Sequence, residues 1–339
     1  MTAATTLSYD GGPVTLGPSF SFYVTPSNVA RLRTAATFGD ALTVAGPKGP
    51  EVVRRLRQQG LNVPVLFDGM GYAGNDLRPE AWVATQCAAG ADRVTLPGVF
   101  VAWDKTDTAV FASTVLEQDR LATDLDATSL IAIDARWIAR RPADVLSVLS
   151  ETTRPIALVL ADRGDPLALN GAVPGLRQII GRVPRMSLFR TDHGGVGALA
   201  FGAAHVSMGL TTTTRHFAAA GMSPRRIVDN TARLFVRSIL DWFRAAEIAG
   251  WTAAGSDFIC QLSCCEGAPL SNYLDPDLDA TFHNMNAMAD FADFILDADP
   301  TDRPALYLEI CRAAIGKYGL AGFNGPEHSK AQLNSWAFS

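Results

Sequence analysis

Four aspartates stand where short apolar runs end: Asp68, Asp134, Asp162 and Asp192, the last followed by His193. A carboxylate held there can act as general acid or base, or bind ring nitrogens. Beside an imidazole it can form a base with its orienting partner. A second group lies far along the chain, Cys260-Gln261-Leu262-Ser263-Cys264-Cys265, with His283-Asn284 beyond it. Three thiols and an imidazole make a complete tetrahedral zinc shell, structural in role because no position stays open for water. Neighbouring side chains diverge, so the adjacent Cys264 and Cys265 are the demanding members. Three unrelated buried thiols are the plain alternative.

The elements that must carry these residues are eight apolar runs, at 20–24, 41–44, 63–67, 93–96, 130–133, 156–160, 186–189 and 205–209, separated by helix-like stretches. Runs such as Val65-Leu66-Phe67, without alternation, suit parallel strands buried on both faces. Eight strand–helix units predict a (β/α)8 TIM barrel, with its active site where the strands end. Helices are expected at 51–59, 142–151 and 175–180, and residues 1–12 read as a lead-in.

Local sequence refines the candidates. Asp68-Gly69-Met70-Gly71-Tyr72 places an acid between a buried strand and glycines that let a ligand approach the backbone; a turn cap is the structural alternative. Arg190-Thr191-Asp192-His193-Gly194-Gly195 offers an acid, an imidazole and a glycine pair that could receive a phosphate at a helix start. Asp162-Arg163-Gly164-Asp165-Pro166 can neutralise its own acids by an ion pair or turn, and Asp134 is equally open to a ligand or a structural role. Arg215 lies above the eighth strand, where it could hold an anion or cap its loop. His205, opening that strand, reads as structural.

The 339 residues are 48% hydrophobic, enough for one barrel and an appendage. The net charge of −5 gives no general attraction to nucleic acid. No apolar stretch has the length of a membrane span, and the start lacks the pattern of a signal peptide. Few cysteines fit a reduced, cytoplasmic setting, with Cys87 and Cys311 packed in apolar helices. After the eighth strand the composition changes. A long helix from Pro224 to about residue 248 is expected, with Ile227, Leu234, Phe235, Ile239 and Phe243 at helical spacing, then a zinc lobe at about 256–284 and closing helices. The division is a barrel core at 1–223 and a post-barrel part at 224–339.

These motifs resemble the tRNA-guanine transglycosylase superfamily, enzymes that exchange or install modified guanine bases. Their D-S-G-G-[FY] motif is similar to Asp68-Gly69-Met70-Gly71-Tyr72. Their C-x-C-x-x-C run has its outer positions at Cys260 and Cys265, with Leu262 in the middle and Cys264 as the substitute, and His283-Asn284 resembles their later pair. The resemblance implies a transglycosylase-like enzyme acting on a purine or 7-deazapurine base or its N-glycosidic bond, with structural zinc on Cys260, Cys264, Cys265 and His283. Taken with the strand-end reading, the candidate catalytic residues are Asp68, Asp192 and His193, and the candidate substrate contacts Gly71, Tyr72, Asp134, Asp162, Gly194, Gly195 and Arg215. The family's nucleophilic Asp ends the last strand, where Gly202-Ala203-Ala204-His205-Val206 is followed by Ser207. Expected partners are a nucleobase or a nucleic acid (tRNA or DNA), with no membrane; a homodimer is allowed. Two other functions stay open: an FMN- or sugar-phosphate-binding barrel enzyme, and a catalytically degenerate binding module.

Overall fold

Residues 19–22 (Ser-Phe-Ser-Phe) and 205–208 (His-Val-Ser-Met) alternate a polar residue with a large apolar or aromatic one, as β-geometry gives a sheet two unlike faces. In the computed structural model, which describes residues 18–104, 107–183, 185–222, 232–256, 258–275, 277–318 and 330–338, the strands are β1 (Ser19–Val24), β2 (Ala41–Ala45), β3 (Val65–Asp68), β4 (Val99–Val101), β5 (Ser129–Asp134), β6 (Ile156–Ala161), β7 (Met186–Thr191) and β8 (His205–Gly209). Phe20, Phe22, Val206 and Met208 belong to the large core beneath the surrounding helices. The opposite, concave face gathers Ala41, Ala132, Ala157 and Val159 with Tyr72, Phe189 and Phe217.

All neighbouring strands are parallel, in the order β3-β2-β1-β8-β7-β6-β5-β4. The closed (β/α)8 barrel expected from the sequence is not formed. The sheet turns through 225° about its axis and leaves its edges 11 Å apart, an open half-barrel. The cause lies in the fourth apolar run. Residues 93–96 make single bridges, Leu66 to Arg93 and Thr95 to Thr128, instead of a ladder. The side chain of Gln86, on the helix Pro79–Ala88, takes both the N–H and the C=O of Thr95 (3.0 and 2.7 Å). Pro97, next but one, has no N–H to offer. The true β4 follows at Val99–Val101 and pairs only with β5.

A second correction falls after β8. From residue 232 on, where the structure describes it, the stretch expected to be one long helix is a hairpin of β9 (Arg233–Val236) and β10 (Asp241–Arg244), followed by a helix at Ala245–Ala253. Leu234, Phe235 and Val236 are all buried, which removes the alternation that marks a strand. The turn uses Leu240 at φ +49° in place of glycine or proline, so punctuation is missing too. Pro224, Ile227, the boundary at 223/224 and the lead-in at 1–12 lie outside the described residues.

Helices Ala280–Leu296, Arg303–Tyr318 and Ala331–Phe338 fold back over the outer side of the half-barrel. The Tyr307 ring comes within 2.7 Å of where a Cβ on Gly197 would stand, and Trp336 stacks on Phe201 with centroids 5.6 Å apart. Cys311 is packed as expected, whereas Cys87 is exposed. No described helix is long and apolar enough to cross a membrane.

Candidate functional site

Asp68 ends β3 on the concave face and is fully buried. Its Oδ2 accepts from Tyr23 (2.7 Å) and Tyr72 (2.5 Å), and its Oδ1 from the Met70 N–H (2.8 Å). Tyr23 comes from β1 and Tyr72 from the short turn after β3, so two distant segments meet on one carboxylate. Burial pushes the Asp68 carboxyl above its ordinary range, against the pull of both phenols and of Arg190. Burial and the adjoining carboxylate push both tyrosines well up.

Arg190 completes this group. Its guanidinium donates to Tyr72 Oη (3.4 Å) and to the carbonyl oxygens of Thr213 and His216, and it lies 5.5 Å from the Tyr23 ring centroid and 5.2 Å from that of Phe217. Arg190 sits at φ +55°, where the β7–β8 register shifts between Phe189 and Thr191. Met70 shares the same φ. Two non-glycine residues in the left-handed region, each costing about 1 kcal/mol or more, flank one carboxylate. The glycine beside them fits tightly: a Cβ on Gly71 would meet Gly98 O at 2.7 Å, and its N–H donates to Pro97 O. Phe100 and Met70, both half-buried, extend the apolar rim formed by Tyr72 and Phe217.

The other strand-end acids have separate surroundings. Asp134 is buried against Arg136, whose side chain reaches both carboxylate oxygens (2.9 and 2.7 Å) and continues to Asp104. Asp162 caps its own turn through Gly164 N, and Asp165 caps the next through Leu167 N. Asp192, buried at the end of β7, accepts from Gly194 N (2.8 Å) and Gln332 Nε2 (3.0 Å). His193 Nδ1 lies 3.7 Å from Asp192 Oδ1, and His216 Nε2 lies 3.8 Å from Oδ2. The bulge at Arg190 reverses the alternation, so Arg190 turns toward Asp68 while Asp192 faces the C-terminal helix.

Around Asp192 the charges are crowded. Asp165, Asp192 and His216 bring three ligand atoms within 4.8 Å of one another. With Arg215 they line a cavity of about 10 Å³. Burial and Asp192 push the Asp165 carboxyl well up, and burial pushes His216 down to about 4 and Arg215 down to about 10. Burial also opposes the Asp192 charge, but His193, His216, Gln332 and the Gly194 N–H together hold its carboxyl below the usual range. Gly195 N donates to Asp192 O and Val196 N to His193 O, so the start of the helix Gly194–Ala200 is already paired. A Cβ on Gly194 would strike Gln332, and one on Gly195 would strike Thr191, so this glycine pair serves close packing.

The cysteine group assembles in the post-barrel part. Cys260, Cys264, Cys265 and His283 present ligand atoms within 4.8 Å of one another, the adjacent Cys264 and Cys265 included. Cys260–Cys264 and Cys264–Cys265 are 3.9 and 3.4 Å apart, and His283 Nδ1 lies 3.6 and 3.3 Å from Cys264 and Cys265. A turn of the chain makes this convergence, with Cys265 N donating to Leu262 O and Ala268 N to Cys265 O. His283 Nε2 is 3.1 Å from Phe235 O, which directs Nδ1 at the sulfurs. Burial opposes the Cys265 thiolate, but His283 and then Tyr273 bring its thiol down to about 6.

No protein-family model matches the sequence, and no curated protein does. Among solved structures the chain is similar to thiamine phosphate pyrophosphorylase from Pyrococcus furiosus. The identity is 13% and the TM-score 0.32, over 57% of this chain and 86% of that one. A likeness at that level assigns neither activity nor ligand.

Tyr23, Arg190, His216 and Gln332 are the residues that the sequence did not bring forward. Only Arg190 carried a local signal, a cation beside the strand-end Asp192. Ser207, at the position the resemblance gives to a nucleophile, is buried on the concave face with no hydrogen bond from its Oγ among the described residues.

Proposed function

We propose that the protein is a small-molecule-binding enzyme whose ligand, a planar heteroaromatic ring, lies at the strand ends against Asp68, Tyr72 and Arg190. The buried carboxylate–phenol–guanidinium group carries this reading. It is held by backbone in the left-handed region at Met70 and Arg190, a cost of the kind that clusters at binding sites. The rim of Met70, Phe100, Tyr72 and Phe217 supplies an apolar edge beside the polar group, the mixture that ring-binding pockets use. Asp68 and Arg190 then offer an acceptor or a proton, and a positive charge, to ring nitrogens or carbonyls. Both FMN and a nucleobase meet that description. Calorimetric titration with FMN, a sugar phosphate, guanine and a 7-deazaguanine separates them. Binding of none of the four rejects the site.

Base exchange of the transglycosylase kind is the second reading. It draws support from the gathering of Cys260, Cys264, Cys265 and His283, the residues that carried the resemblance. Zinc is the ion we propose for that cluster. Zn–S of about 2.3 Å and Zn–N of about 2.0 Å set ligand separations of roughly 3.5–3.8 Å, close to the spacing of these atoms. Its role would be to cross-link the lobe. A covalent glycosyl intermediate needs a carboxylate, and Ser207 supplies none. Asp192 faces Gln332 and two imidazoles, so Asp68 is the acid best placed beside a ring. Trapping with a guanine nucleoside tests the covalent route, which fails if no adduct forms.

A further inference from the structure

We infer that Asp165, Asp192 and His216 form a second metal site, for a divalent transition-metal ion, between the half-barrel and the C-terminal helix. Three independent parts of the chain supply the donors: the turn after β6, the end of β7 and the segment after β8. Their ligand atoms lie within 4.8 Å of one another. Donors at about 2.0–2.2 Å from one ion in a tetrahedral shell are roughly 3.3–3.6 Å apart, so the 3.8 Å between His216 Nε2 and Asp192 Oδ2 needs only a small contraction. The cavity they line, about 10 Å³, has room for one water-sized species and no more.

A second observation points the same way. His193 is buried with neither ring nitrogen hydrogen-bonded among the described residues, and its Nδ1 faces Asp192 Oδ1 at 3.7 Å. His216 Nδ1 is buried without a partner as well, and its Nε2 stops 3.8 Å short of Asp192 Oδ2, beyond a hydrogen bond. Buried imidazoles ordinarily have partners. A central ion between His216 and Asp192 satisfies separations that direct bonding leaves too long.

Donor chemistry selects the class. Two carboxylates with an imidazole suit Zn²⁺, Mn²⁺, Fe²⁺ or Co²⁺; Mg²⁺ and Ca²⁺ prefer oxygen alone. Gln332 and the Gly194 N–H bond Asp192 Oδ1, which leaves Oδ2 as its metal-facing oxygen.

Cobalt is the probe that tells the two clusters apart. The full chain is first given one equivalent of zinc for the cysteine cluster and then titrated with Co²⁺. We expect a further equivalent with weak visible bands and no sulfur-to-cobalt charge transfer. His216→Gln should weaken that equivalent at least as much as the roughly ten- to hundredfold loss seen for outer partners of metal ligands, and Asp192→Asn likewise. His216→Gln keeps the test open if Asp192→Asn fails to fold, since Asp192 also caps a helix. Cys265→Ser should leave it unchanged. Uptake confined to the thiolate site, or a second equivalent that survives both substitutions, overturns the inference.

Discussion

Gln86 holds both backbone groups of Thr95, donating to its carbonyl at 2.7 Å and accepting from its N–H at 3.0 Å. One helix-borne amide thus does the work of a neighbouring strand at the point where the sheet opens. Gln86 is fully buried, as is Thr95.

Gln86→Leu keeps the volume and removes this pairing. It should cost about 2–4 kcal/mol, from two buried backbone groups losing their partners at roughly 1–3 kcal/mol each and partly recovering. Urea unfolding of the two proteins measures it. A difference below about 0.5 kcal/mol would mean that Thr95 finds its bonds elsewhere.

Asp68→Asn should destabilise as well. Asp68 is fully buried and accepts from Tyr23, Tyr72 and Met70 N. An amide cannot accept on both sides, so one of these donors loses its acceptor, at about 1–3 kcal/mol. Thermal melts decide, and a change of less than about 1 °C speaks against the three-donor arrangement.

The zinc cluster predicts one zinc per chain after purification without chelator, by elemental analysis. Cys265→Ser and Cys264→Ser should each weaken binding by at least tenfold, because both adjacent thiols face the same point. Retention of full affinity in either variant would remove that residue from the ligand set.

Acid sensitivity follows from His205. Its ring nitrogens meet Ser19 Oγ at 2.9 Å and Ser21 Oγ at 3.0 Å, and burial holds its imidazole down to about 3. The unfolded chain takes up this proton near 6.5, the folded chain only near 3. The contribution is therefore complete above about 6.5 and is lost as pH falls toward 3, at about 1.4 kcal/mol per pH unit. His193 and His216 are depressed in the same direction, so the quantity to compare is wild type against His205→Gln. Stability curves from pH 6.5 to 5 should diverge by that slope; parallel curves would exclude it.

Most strands were legible because their apolar runs are long and their helices well marked; β1 to β3 and β5 to β8 lie within two residues of their expected bounds. Closure was not legible. Whether residues 93–96 join a ladder depends on what Gln86 does with Thr95, a choice that hydropathy does not encode. The hairpin was hidden for the opposite reason, since Leu234, Phe235 and Val236 have no exposed face to break the pattern. At the candidate site, Asp68 and Tyr72 are four residues apart and announce each other. Tyr23 and Arg190 reach them from 45 and 118 residues away, and Gln332 reaches Asp192 across 140. Such partners emerge only once the chain has folded.

The dipeptide His283-Asn284 has a consequence beyond the metal cluster. Asn284 accepts from Phe235 N (2.8 Å) and donates to Arg233 O (2.7 Å), while His283 Nε2 lies 3.1 Å from Phe235 O. These are the backbone groups of β9 that face away from β10. Two side chains therefore imitate a third strand along an otherwise open margin. A bare margin of this kind is an invitation to another polypeptide to add itself and seed aggregates. By filling it, the same helix turn that brings an imidazole to the sulfurs also keeps the hairpin from recruiting foreign chains.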